Sequence, residues 1–130
     1  MARPRHEHPT PGELEILRVI WEHGPCTVRQ VMDVVNRARR RAYTTVMSLM
    51  NTMTDKGLLD RRLCGRAFIY KSAATRAKTL SGMLGDLLGR AFDGSASAMV
   101  AHLLEGADPS GEELEEIRET IAKYRETRGD

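Results

Sequence analysis

The chain has 130 residues, 41% of them apolar but only 5% aromatic, so Leu, Val, Ile, Ala and seven Met must do the packing. That favours helices over a β-sandwich, in one ordinary domain or a small domain with an appendage. No apolar run approaches the roughly 20 residues that span a bilayer. The start, MARPRHEHPTPGE, lacks the apolar stretch of a secretory signal, and Cys26 and Cys64 are too few for a disulfide framework or a four-thiolate zinc site. The expectation is a cytoplasmic protein with no metal, no cofactor and no membrane partner. The net charge of +2 hides a division: residues 1–71 carry 13 Lys and Arg against 7 Asp and Glu, residues 72–130 carry 7 against 11. A basic front and an acidic rear suggest that only the front meets a polyanion.

Residues 1–9 read as a flexible arm, in which His6, Glu7 and His8 are better taken as frayed than as metal ligands. The first helix has Thr10 as cap, Pro11 in its first turn and Glu13 completing a capping box. Leu14, Leu17 and Trp21, widened by Ile16 and Ile20, form its apolar stripe, and Gly24-Pro25 stops it. Thr27 and Gln30 make a second capping box, followed by Val28, Val31, Met32 and Val35 at helical spacing. The basic stretch Arg37, Arg39, Arg40, Arg41 comes next. A third helix runs from Tyr43 to Lys56 with Val46, Leu49, Met50 and Met53 inward, and Gly57 supplies a left-handed stop. LLDRRLC and AFIYK then read as two strands joined at Gly65-Arg66.

Beyond a boundary near Ser72, Ala77, Leu80, Leu84, Leu87 and Ala91 form a two-heptad seam broadened by Met83, Leu88 and Phe92. Gly82, Gly85 and Gly89 weaken that helix by roughly 1 kcal/mol each, so it needs a partner surface. Gly94-Ser95 breaks the chain, Ser97 to Glu105 is a short helix, and Ser110 with Glu113 caps a last one carrying Leu114, Ile117, Ile121 and Tyr124. The fold class is therefore mostly α: a winged helix-turn-helix domain at 10–72, three helices plus a β-hairpin wing, then a helical dimerisation region at 73–130. Leu80, Leu84, Leu87, Leu88, Phe92, Leu103, Leu104, Ile117 and Ile121 are the expected dimer contacts.

Helix 3 is the expected reader of double-stranded DNA. With its apolar side turned inward, Thr44, Thr45, Met47, Ser48, Asn51 and Thr52 face outward, and no acid occurs before Asp55. Hydroxyls and an amide suit base edges and phosphates, which a carboxylate would repel. Arg40 and Arg41 sit beside the positive end of that helix. Arg61, Arg62 and Arg66 bring charge to the wing, and Lys71 lies at its base.

The segments ELEILRVIWEHGPCTVRQV, AYTTVMSLMNTMTDKGLL and RAFIYK resemble the penicillinase-repressor family, which includes methicillin-resistance and copper-responsive repressors. The resemblance implies a homodimer that represses from palindromic operators. By family position, Tyr43, Thr44, Thr45, Met47 and Ser48 fall at the DNA-reading start of helix 3 and Arg66 at the wing tip. In β-lactam-responsive members a sensor protease cuts an Asn-Phe bond; the matching position here reads His102-Leu103. Copper-responsive relatives end in closely spaced Cys motifs, whereas this chain ends KYRETRGD. The resemblance thus implies repression and leaves the releasing signal open.

Other readings are weaker. There is no H-E-x-x-H, no G-x-S-x-G and no phosphate-cradling Gly loop, and the four histidines are scattered, so no catalysis is expected. His102 reads as a packed or interface residue. A thiol- or metal-sensing repressor would need Cys26 or Cys64 to be reactive, and nothing in the sequence lowers either thiol pKa. A winged helix used only for protein contact would show apolar or acidic residues on the outer face of helix 3.

Overall fold

Thr10 starts the first helix as expected, its hydroxyl accepting from the Glu13 amide while the Glu13 carboxylate accepts from the Thr10 amide. The computed structural model describes residues 8–129; residues 1–7, and with them Arg3, Arg5, His6 and Glu7, lie outside the description. Helix α1 (Pro11–His23) ends at Gly24, whose φ of 84° suits glycine. The Thr27–Gln30 box opens α2 (Val28–Val35). Helix α3 (Tyr43–Asp55) ends just before Gly57, also at φ 84°.

Strands β1 (Leu59–Cys64) and β2 (Ala67–Ser72) form an antiparallel hairpin with Cys64 opposite Ala67, leaving Gly65 and Arg66 as the turn. Gly65 takes φ 65° at the first turn position, where a two-residue hairpin of the II′ kind calls for glycine. The hairpin is fastened to the helices twice. Cys26, in the turn between α1 and α2, exchanges both backbone hydrogen bonds with Tyr70 at 3.0 and 2.8 Å. The Trp21 indole N–H donates to the Ser72 hydroxyl at 2.9 Å.

The core lies where the three helices meet the base of the hairpin. Ile16, Leu17 and Ile20 of α1 pack with Val31 and Val35 of α2, Val46, Met50 and Met53 of α3, and Leu59 and Tyr70 of the strands. Of the expected inward side of α3 only Leu49 is half-buried rather than buried. Glu13 pairs with Lys56 at 2.7 Å, and Arg41 Nη2 with Glu15 at 3.1 Å, while the buried Arg41 Nε has no hydrogen-bond partner. Three helices followed by a β-hairpin packed on them make a winged helix-turn-helix.

Helix α4 (Arg76–Ala91) follows, and the change of compact unit falls within it, the first unit ending at Leu84 and the second starting at Gly85. In the second unit, Asp93 and Gly94 at positive φ turn the chain into α5 (Ala96–Ala107), capped by Ser95, and Ser110 caps α6 (Gly111–Arg128). None of α4, α5 or α6 has a buried residue. Leu84 is 56% exposed and Leu103 61%, and Leu87, Val100, Leu114, Ile121 and Tyr124 are exposed with them.

Candidate nucleic-acid interface

The start of α3 differs from the other helix starts. Thr10, Thr27, Thr75, Ser95 and Ser110 each offer a hydroxyl to a helix amide, whereas Ala42 precedes α3 and no side chain caps it. Its first N–H groups, at the positive end of the helix dipole, are left for water or an anion.

The outer face of α3 divides into two stripes. Thr44, Thr45, Ser48 and Thr52 are exposed and share a shallow open surface with Leu49. Tyr43, Met47 and Asn51, spaced by one helical turn, form instead one wall of a groove of about 360 Å³. Arg66, Ala67 and Phe68 of the wing line the opposite side, and Thr27 and Arg29 from the start of α2 close it. Arg29, Arg61 and Arg66 all border this groove and no carboxylate does. The guanidinium of Arg29 lies 5.7 Å from the centre of the Tyr43 ring, a cation–π contact that holds charge at its edge.

The expected site residues are thus placed unequally. Tyr43, Met47 and Arg66 meet in the groove, Thr44, Thr45 and Ser48 lie beside it, and Arg40 is exposed in the loop that leads into α3. Arg41 turns the other way. Its guanidinium bonds Glu15 on α1, its amide donates to the Asn36 side chain, and its side chain is only 13% exposed. It braces the loop against α1 and is not part of the exposed basic surface. Arg62 pairs with Ile69 across the hairpin and borders a second hollow with Pro25, Asp60, Ile69 and Lys71, which Arg61 also touches. Because neighbouring strand residues point to opposite faces, Arg62 is turned away from the face that Arg61 and Tyr70 present to α3.

Two contributors, Arg29 and Phe68, were not expected from the sequence, and a third, Asn51, was expected in another role. Arg29 enters because the start of α2 points at the groove; its place outside the Val28, Val31, Val35 stripe was the available signal. Asn51 was expected to face DNA, yet its side-chain oxygen accepts from Arg61 Nη1 at 2.8 Å and from the Tyr70 hydroxyl at 2.9 Å. Phe68 carries the Arg61 guanidinium 4.3 Å above its ring. Nothing local in the sequence signals these contacts.

The cysteines have separate environments. Cys26 is buried with its thiol donating to the Gly24 carbonyl, and burial pushes that thiol above its ordinary pKa. Cys64 is exposed at the end of β1. His102 is exposed and stands edge-on to Phe92, ring centres 5.4 Å apart. Among the described residues no three His, Cys, Asp or Glu side chains gather as metal ligands would.

Residues 9–123 match the profile of the penicillinase repressor family. The transcriptional regulator BlaI of Mycobacterium tuberculosis is 32% identical over 124 residues, covering 91% of this chain and 87% of that one. The penicillinase repressor of Bacillus licheniformis is 25% identical over 114 residues, covering 88% and 89%. A crystal structure titled as a probable transcriptional regulator from Pseudomonas aeruginosa aligns with a TM-score of 0.50 at 20% identity, over 92% of this chain and 81% of that one, a likeness of fold alone.

Proposed function

Because the chain belongs to the penicillinase repressor family, we propose that it is a DNA-binding transcriptional repressor acting as a homodimer on a palindromic operator. The observation that carries this reading is the carboxylate-free groove between α3 and the wing, with Arg29, Arg61 and Arg66 on it and an uncapped helix start beside it. Helix α3 enters the major groove. Thr44, Thr45 and Ser48 contact base edges, and the methyl of a threonine or the thioether of Met47 touches thymine methyls. The open amides at the start of α3, Arg40 and the wing residue Arg66 hold phosphates on either side. Arg29 joins them from α2. The chain is a regulator and not an enzyme, as its family is one of repressors.

A single reading head offers few base contacts, so pairing two of them multiplies affinity through effective concentration. Apolar residues of the rear helices supply the pairing surface: exposed Leu84 and Leu87 on α4, Leu103 on α5 and Ile121 on α6, with half-buried Leu80 and Leu88 on α4, Phe92 beyond it, Leu104 on α5 and Ile117 on α6. Two copies of α3 then address successive major grooves about 34 Å apart. Any event that parts the rear helices releases DNA without touching the reading surface. A sensor protease is one such event in β-lactam-responsive members of the family, but the Asn-Phe bond cut there reads His102-Leu103 here, so the same cleavage does not follow. No helix among the described residues is long and apolar enough to cross a membrane, and the place of work is the cytoplasm, where operator DNA lies.

Titrating the protein against the DNA upstream of its own gene, at two salt concentrations, tests this. Selective binding that weakens steeply with salt is the expected result. A folded dimer that binds no duplex selectively at either salt would make the winged helix a protein-contact module instead.

A further inference from the structure

The outer face of α3 has one member that does not behave as a reader. Asn51 lies two turns along the helix from Tyr43, where its side chain meets the hairpin. Its Oδ1 accepts from Arg61 on β1 at 2.8 Å and from Tyr70 on β2 at 2.9 Å. Arginine has only donors, so the amide must present its oxygen there, and both lone pairs are used. Arg61 and Tyr70 are themselves cross-strand partners. One oxygen on α3 therefore grips both strands at a single rung of the wing. The same rung is held from the other side, where the Tyr70 backbone pairs with Cys26. Phe68 fixes the Arg61 guanidinium by lying 4.3 Å beneath it and meets the Tyr70 ring edge-on at 6.4 Å.

We propose that Asn51 is a positioning residue: its side-chain oxygen sets the angle between the wing and α3, so that helix and wing engage DNA as one rigid surface. This rests on the DNA-binding reading above. Beyond the gripped rung, Leu63, Cys64, Gly65 and Arg66 are all exposed and extend to the tip. At about 3.3 Å per residue, the four steps from Tyr70 to Arg66 place the tip about 13 Å from the fulcrum. A tilt of about 10° there moves the tip about 2 Å, enough to lose a hydrogen bond to a phosphate. The contribution of Asn51 to affinity is then indirect, and it passes through Arg66.

The test uses Asn51→Ala and Tyr70→Phe in the full chain, the second removing only the hydroxyl of a residue that is 2% exposed. Trp21 is the single tryptophan and Cys64 the exposed cysteine, so energy transfer from Trp21 to an acceptor on Cys64 reports wing position without DNA. Both variants are expected to change that transfer while melting cooperatively. Both should also weaken operator binding about 3- to 10-fold across operator sequences. Arg66→Ala should cost less affinity in the Asn51→Ala background than in the native chain, because the tip is already misplaced. Unchanged energy transfer in both variants overturns the proposal. So does an Asn51→Ala protein with altered base preference beside a Tyr70→Phe protein of native affinity, since Asn51 would then be a reader. If the native chain binds no operator, the repressor reading fails, and the energy transfer still decides whether Asn51 sets the wing.

Discussion

Lys56, the residue that closes α3, reaches across to Glu13 in the first turn of α1, with 2.7 Å between Nζ and Oε1 and side chains only 12% and 3% exposed. The same carboxylate oxygen accepts from the Thr10 amide. One acid thus caps the first helix and ties its start to the end of α3. Removing a single partner of a buried pair leaves an uncompensated charge. Lys56→Met is therefore expected to destabilise by about 3 kcal/mol in denaturant unfolding, and adding Glu13→Gln to it should recover part of that loss. A Lys56→Met protein of native stability would show that water already screens the pair.

Arg40 and Arg41 are neighbours with opposite assignments. Arg41 gives a charge-assisted hydrogen bond to Glu15, so Arg41→Ala should cost about 2 kcal/mol of stability and leave the salt dependence of DNA binding unchanged. Arg40→Ala should leave the unfolding midpoint in place and reduce the salt slope by about 1, as loss of one phosphate contact does. Exchange of these two outcomes would mean that the loop before α3 rearranges on DNA.

Affinity and preference should separate on the interface. Arg66→Ala is expected to weaken binding to all sequences and reduce the salt slope by about 1. Thr45→Ala or Ser48→Ala should instead change the preferred base at one operator position, by about 1 kcal/mol. Binding measured on a panel of single-substitution operators distinguishes the two kinds of effect. Uniform losses for Thr45→Ala would make that hydroxyl a phosphate contact.

The two thiols should differ in reactivity. An alkylating reagent at neutral pH is expected to modify Cys64 alone, one equivalent per native chain counted by mass, and Cys26 only on unfolding. Burial raises the Cys26 pKa in the folded state, so the neutral thiol is the form that folding favours. Its contribution to stability is whole below the unfolded pKa and is lost as pH rises through the raised folded value. Stability of the native chain should accordingly fall at alkaline pH by more than that of Cys26→Ala. Modification of Cys26 at neutral pH would show that the turn between α1 and α2 opens.

Pairing through the rear helices can be tested by charge. Leu84→Glu and Leu87→Glu each place a carboxylate on the exposed apolar side of α4. Sedimentation should show monomers for both variants, with operator binding weakened and the winged-helix unit still folded. A dimer in both would remove α4 from the pairing surface.

The helices and the hairpin were legible in the sequence because their causes are local. A capping box needs residues three apart, as in Thr10 with Glu13 and Thr27 with Gln30, and an apolar stripe repeats within two turns. Gly24, Gly57 and Gly65 stand where the backbone takes positive φ, which a single residue type announces. The open, acid-free face of α3 followed from the same periodicity. What the tertiary structure alone decided is which of those side chains are spent inside the protein. Arg41 meets Glu15 from 26 positions away, Tyr70 meets Asn51 across 19, and Trp21 meets Ser72 across 51. Arg61 and Arg62 are identical in type and adjacent, and LLDRRLC has no alternation to tell which faces α3. Burial of Leu59 and Tyr70 against the helices settles it, since a strand shows alternate residues to opposite sides. Local rules thus determined the elements and their polarity, and long-range packing decided which arginines stay on the surface and which hold the fold.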